Sequence, residues 1–157
     1  MENKNHWHEI DWKSVNSYIV RMRRKIYLET KEGNNHKIRI HQKLMISSKA
    51  NILHSIRGVT LVNAGRITPG IDKQIALNPK QRWRLYKDIL EMDINTWNPY
   101  PVKRIYIPKP NEKSRPLGIP IIKDRVIQAI VKNALEPEWE ARFDPKSSGF
   151  RPKRCAH

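Results

Sequence analysis

The residues best placed to do chemistry are three cations grouped around one short turn. In VKRIYIPKPNEKSRPLGIP, residues 102–120, the segment VKRIYI is β-branched and aromatic, PNEK is turn material and SRPLGIP resumes an extended pattern. Residues 102–119 therefore predict a β-hairpin. Pro108, Pro110 and Pro116 confine it to an exposed ribbon, because proline cannot donate to a central ladder. With a turn centred near Glu112, Lys109 stands across from Arg115, and strand alternation puts Lys103, Ile105, Ile107 and Lys109 on one face with Arg115. An ammonium beside a guanidinium fork suits a triphosphate, whose charge is spread over several oxygens. The same cations would equally serve to keep an exposed hairpin edge soluble.

A second basic set lies upstream. Between Arg21 and Arg66 there are 11 Lys and Arg against only Glu29 and Glu32, a net charge of +9. Solvated faces normally intersperse both signs, whereas an uncompensated excess repels itself unless an anionic surface neutralises it. Nucleic acid is the commonest such partner. Arg21, Arg23, Arg24 and Lys25 are the densest cluster and the candidate RNA contacts.

The whole chain carries the same bias. Its 157 residues hold 31 Lys and Arg against 15 Asp and Glu, a formal charge of +16, and only 38% are apolar. The core is accordingly expected to be small. No run of 18 apolar residues occurs, and MENKNHWHEIDW lacks the basic flank and apolar stretch of a secretory signal, so membrane spanning and export are not expected. A single cysteine, Cys155, excludes an internal disulfide. His6 with His8, and Cys155 with His157, lack the further ligands of a tetrahedral site, and no metal is assigned to either. Ser147 and Ser148 have no recognisable His and carboxylate partners for nucleophilic catalysis. The five tryptophans could stack on bases, but they serve more simply as anchors in the small core.

The elements that must position these groups follow from periodicity. Trp12, Val15, Ile19, Met22 and Ile26 step by three and four residues, which predicts an amphipathic helix over 12–32 with Gly33 as its stop. A second helix is expected over 37–61, with Ile38, Met45, Ile52, Ile56 and Val59 near one face. NAGRITPGID, residues 63–72, has two glycines, a proline and no period, and reads as a loop that brings backbone close to something. Asn78 followed by Pro79 starts a helix that ends near Asp93. After the interruption INTWNPYP and the hairpin, Val126, Ile127, Ile130, Val131 and Ala134 predict a helix over 123–135, with Asp124 favourable near its N-terminus and Pro137 ending or kinking it. Glu136, Glu138 and Glu140 read as a solvated helix-end face. The fold class expected is α+β.

Residues 101–157, PVKRIYIPKPNEKSRPLGIPIIKDRVIQAIVKNALEPEWEARFDPKSSGFRPKRCAH, closely resemble the first two conserved blocks, the fingers, of group II intron-encoded reverse transcriptases, also called maturases. VTLVNAGRITPGID is similar to the additional block preceding those fingers. The first sixty residues, with W-x4-W and HQKLMISSKANILHSIRGVT, are similar to the family's N-terminal extension. The resemblance implies a division at residue 61, into a basic helical extension over 1–61 and part of a reverse transcriptase domain over 62–157, with the fingers of a right-hand polymerase fold. It implies that Lys109 and Arg115 bind the triphosphate of an incoming nucleotide, and that Lys103 lies against the templating base. Gly149, Phe150 and Arg151 match the GFR element that shapes the pocket around nucleotide and template. Asn63, Gly65, Thr68, Gly70 and Asp72 match the signature of a lid against the template. Departures are Ser148 where an aromatic is frequent, Lys153 where glycine is, and Glu112 at the hairpin tip.

Polymerisation requires two metal ions held by carboxylates about 4 Å apart. In the resembled family these carboxylates belong to the palm, and the sequence has no Asp-Asp pair, so no catalytic residue is assigned. The resemblance thus implies an N-terminal part of a reverse transcriptase that would not polymerise alone, with Mg2+ expected in the intact parent and some apolar surface between Val126 and Phe143 left uncovered by the missing palm. Expected partners are intron RNA or template–primer, a deoxynucleoside triphosphate in the parent, and a palm-containing polypeptide if the gene is split. A bacterial cytoplasm, plastid or mitochondrion would suit it. The alternatives are a stand-alone RNA-binding module without catalysis, or a truncated product with no function.

Overall fold

The computed structural model describes residues 6–110, 114–147, 149 and 151. After a short 3-10 turn at His6–Glu9, three helices follow: α1, Trp12–Lys31; α2, Asn35–Ile46; and α3, Lys49–Arg57. A π turn at Gly58–Val62 and a 3-10 turn at Ala64–Ile67 lead through a loop to α4, Pro79–Leu90. A further 3-10 turn at Ile94–Thr96 precedes the strands β1, Lys103–Pro108, and β2, Ser114–Ile119, and the long helix α5, Ile122–Arg142. The described chain is mostly helical, with one β-hairpin and a C-terminal helix.

Local signals explain most boundaries. Asp11 caps α1 by accepting from the backbone N–H groups of Lys13 at 3.0 Å and Ser14 at 3.2 Å. The stop is a Schellman turn: Gly33 takes φ +74°, its N–H donates to Thr30 O, and that of Asn34 to Glu29 O. α4 opens with a full capping box between Asn78 and Gln81, and Pro79 sits at its first position.

The helix expected over 37–61 is instead two helices and a π turn. The Ser47 hydroxyl bonds back to Lys43 O, while Ser48 donates to Met45 O and accepts from Asn51 N at 3.1 Å. These serines cap one helix and begin the next, a local competition that an apolar period does not report. Ile38, Met45, Ile52, Ile56 and Val59 are all buried nevertheless.

α5 is the spine of the molecule. Its Ile122, Val126 and Ile130 join Trp7, Ile52, Ile56, Val59, Tyr86 and Ile89 in one core, and its Ala134 joins Ile19, Met22, Ile26, Ile38 and Met45 in a second. The cores therefore combine helices from both sides of residue 61. Fully buried Asn51 ties three helices together, its Nδ2 donating to Met45 O at 3.1 Å and Ile130 O at 3.0 Å while Asn133 donates to its Oδ1 at 2.8 Å.

α5 continues to Arg142, seven residues past its expected end, and Pro137 is buried within it. The carboxylates flanking the proline explain why the helix survives. Glu136 accepts from Arg23 of α1 at 2.5 Å, Glu138 from Gln42 of α2 at 2.6 Å, and Glu140 pairs with Arg151. Tertiary ties thus outweigh one lost backbone bond, and these acids are not the solvated face expected. Val126, Ile130 and Ala134 are likewise packed in the cores with the N-terminal helices and Ile127 is buried, so the uncovered apolar surface narrows to Leu135, Trp139 and Phe143.

A candidate nucleic-acid interface

The hairpin pairs Lys103 with Ile119, Ile105 with Leu117, Ile107 with Arg115 and Pro108 with Ser114. This corrects the expected pairing of Lys109 with Arg115. The strands are slid by two residues, and Lys109 lies just beyond the last pair. An even slide leaves every side chain on its original face, so Lys103, Ile105 and Ile107 still share a face with Arg115. Four residues of strand separate the levels of Lys103 and Arg115, about 13 Å at the usual strand rise, so the two cannot grip one phosphate together. Residues 111–113, including Glu112 at the expected tip, lie outside the described residues.

This ribbon packs on little. Apart from Ile105 and Ile119 its residues are exposed, with Tyr106 63% accessible. Among the described residues no hydrogen bond or ion pair engages the side chains of Lys103, Arg104, Lys109 or Arg115. Gly118 permits close packing at the ribbon's base, where an added Cβ would stand 2.9 Å from Val102 Cγ2.

The loop over 63–72 is anchored where the hairpin leaves for α5. Asn63 accepts from Gly65 N at 2.8 Å and starts the 3-10 turn. Gly70 lies so close to Ile121 that a Cβ there would fall 2.6 Å from the Ile121 Cα, which is why glycine is required. Asp72 accepts from Gln74 N at 3.1 Å. The latch is Arg125, which sequence reasoning missed. Its Nε donates to Pro120 O at 2.9 Å, Nη1 to Gly65 O at 3.0 Å and Nη2 to Thr68 O at 2.6 Å. Burial pulls its pKa below the ordinary arginine value, while Asp72 works in the opposite direction.

Its neighbour Asp124 stands in the first turn of α5, near the N-terminus where it was expected, but not as a solvated group. It is instead buried, accepting from Trp97 Nε1 at 2.7 Å and Tyr100 N at 3.0 Å. Two adjacent charges inside the apolar run IIKDRVIQAIV were the available signal for both residues.

The remaining candidates divide between bound and free. Arg151 is buried: its Nε and Nη2 hold Glu140 at 3.0 and 2.6 Å, and Nη1 donates to Asp144 O and Ser147 O. Gly149 is exposed with open space around it, and Phe150 lies outside the described residues, as do Ser148, Lys153, Cys155 and His157. On α1, Arg21, Arg24 and Lys25 are exposed, whereas Arg23 is held by Glu136. Trp7, Trp12, Trp83 and Trp97 serve the core or its hydrogen bonds, and Trp139 alone of the five is more exposed than buried, at 52%. Among the described residues, no group of three His, Cys, Asp or Glu could hold a metal ion, and no helix is long and apolar enough to cross a membrane.

Comparison with known proteins shows the family of the chain. The family described as the N-terminal domain of reverse transcriptase matches residues 7–89, just over half of the chain. Protein YkfC of Escherichia coli is 41% identical over 101 residues, 63% of this chain and 26% of its own length. Group II intron-encoded protein LtrA of Lactococcus lactis is 41% identical over 96 residues, 60% of this chain and 16% of its own. Maturase-like protein 1 of Euglena gracilis is 34% identical over 99 residues, 63% of this chain and 21% of its own. The chain thus spans about a quarter or less of each of these relatives.

Proposed function

The chain belongs to the reverse transcriptase N-terminal domain family, and from that premise we propose that it binds RNA and supplies the fingers contacts of a group II intron reverse transcriptase and maturase. In this reading the hairpin and α5 are the fingers of a right-hand polymerase, and residues 1–61 form the basic extension that grips intron RNA. The observation that carries it is the hairpin itself. A strand pair with almost no core to serve presents Lys103, Arg115 and, next to its end, Lys109, all without side-chain hydrogen bonds or ion pairs among the described residues. Cations left unpaired on a stiff ribbon are preorganised for phosphate.

Roles follow from position. Lys109 and Arg115 meet the triphosphate of the incoming nucleotide, while Lys103, about 13 Å further along its strand, lies against the template. The lid of Asn63, Gly65, Thr68, Gly70 and Asp72 is held to the hairpin's exit by Arg125, so loop and ribbon act as one template-facing surface. Gly149, Phe150 and Arg151 would shape the pocket around nucleotide and template, as the resemblance implies, with Arg151 acting through the turn it braces. Mg2+ would serve the intact parent, but the described residues offer no carboxylate cluster to hold it, and no step here passes through the metal. A polypeptide carrying the palm completes the enzyme, in a bacterial cytoplasm or an organelle.

The test has two arms. Replacing Arg21, Arg24 and Lys25 by Ala should weaken RNA binding and flatten its salt dependence by about 0.7 to 0.9 logarithmic units per lost phosphate contact. With a palm-containing polypeptide supplied, Lys109→Ala or Arg115→Ala should raise the nucleotide KM. An unchanged salt slope rejects the RNA surface, and normal nucleotide kinetics reject the triphosphate role. The second reading, an RNA-binding module without catalysis, is favoured if the first arm succeeds and no palm partner restores synthesis.

A further inference from the structure

A cleft of about 850 Å³ lies between the 72–76 loop, α4, Tyr100 and the start of α5. Its volume is within the ~300–1,000 Å³ typical of ligand sites. Leu85, Ala76 and Ile122 line its apolar part, and Lys73, Arg84 and Lys123 bring three cations to it. None of the three takes part in an ion pair among the described residues. That is notable for Arg84, since Asp88, one helical turn away, also lines the cleft. Asp72, the other acid there, is engaged by Gln74 N.

The aromatic wall is held in place. Buried Asp124 fixes Tyr100 by its backbone N–H and Trp97 by its indole, the two rings lie 6.1 Å apart, and Lys123 Nζ is 5.1 Å from the Trp97 ring centre. Yet Tyr100 remains 55% exposed and lines the cleft. Lys73 has φ +57°, in the left-handed region, at the turn closed by its N–H to Gly70 O. That conformation is one a lysine rarely adopts, because its Cβ crowds the following carbonyl oxygen.

We propose that this cleft binds one nucleotide of single-stranded RNA, with the base stacked on Tyr100 and the flanking phosphates met by Lys73, Arg84 and Lys123. An exposed aromatic on an anchored backbone, beside cations that make no ion pair among the described residues, is the combination by which proteins hold single strands, because every base has a stacking face and every phosphate a charge. A duplex keeps its bases inward and cannot use the ring. The proposal rests on the RNA-binding reading given above and adds a strand-selective site to it.

The test uses the full chain, a short labelled single-stranded RNA, its blunt duplex, and fluorescence anisotropy across a salt series. Tyr100→Ala should weaken single-strand binding about fivefold or more, leave duplex binding unchanged, and be rescued by Tyr100→Phe. The double variant Lys73→Ala with Arg84→Ala, both exposed side chains, should lower the single-strand salt slope by roughly 1.4. The cleft is refuted, with RNA binding intact, if both cleft variants bind single strands like the unaltered chain while the Arg21, Arg24 and Lys25 variant is weakened. Equal losses for single strand and duplex also overturn it, because stacking is then not what was removed. If the unaltered chain binds neither RNA, the cleft and the RNA-binding reading fail together.

Discussion

The helical body and the hairpin use the same residue types to opposite ends. In the body, Arg23, Arg142 and Arg151 meet Glu136, Glu138 and Glu140, Arg82 donates to Thr60 and to Leu77 O, and Arg125 is spent on three carbonyls. On the ribbon, Lys103, Arg104 and Arg115 meet no partner among the described residues. The chain's charge of +16 is therefore not one quantity. Part of it is mortar between helices, and the rest is left available to an anion. Substitutions in the two regions should separate stability from binding.

The largest effect belongs to the body's neutral node. Asn51→Leu removes the donor shared by Met45 O and Ile130 O and the acceptor used by Asn133. Met45 O keeps Ser48 as a donor and Asn133 keeps Ser55 Oγ as an acceptor, so the cost is that of the lost bonds, about 1 kcal/mol each, and a loss of about 3 kcal/mol is expected in urea unfolding. A loss below about 1 kcal/mol would mean that the three helices are joined by apolar packing alone.

Arg125→Met comes next. Three donors vanish while most of the stem's packing remains, and because part of the guanidinium is solvent-screened the expected cost is about 1–2 kcal/mol. The same variant should raise amide exchange in the 63–72 loop while leaving α1 protected. Uniform exchange across both segments would show that Arg125 supports the whole fold rather than latching one loop.

The opposite limit is the ribbon. Lys103→Ala with Arg115→Ala breaks no contact among the described residues, and stability should stay within about 0.5 kcal/mol while RNA affinity falls. A large destabilisation would erase the distinction between the two regions.

Which cations fall into which class was only partly legible in the sequence. The α1 stripe, its glycine stop, the capped start at Asn78 and the hairpin could be read because each depends on neighbours in the chain. The break at Ser47 and Ser48 was hidden because the apolar period runs through it, and the hairpin slide because turn composition does not fix register. Arg23, Arg125 and Arg151 could not be sorted, since their partners lie from 4 to 113 residues away and are fixed by the tertiary fold. The even slide preserved the face shared by Lys103 and Arg115, so that part of the expected site survived a wrong register.

The smallest effect tests the body's one histidine held against its neighbours' charge. His54 Nδ1 is buried without a hydrogen-bond partner among the described residues, and burial first, then Arg23 and Arg57, push its pKa below the ordinary value. The unfolded chain therefore binds more protons than the folded one as pH falls below about 6.5, and stability must decline with it. In His54→Leu that contribution is gone, so the decline in melting temperature from pH 7 to 5 should be shallower than in the unaltered chain. Parallel curves would place the His54 ring in water and remove the burial that lowers its pKa.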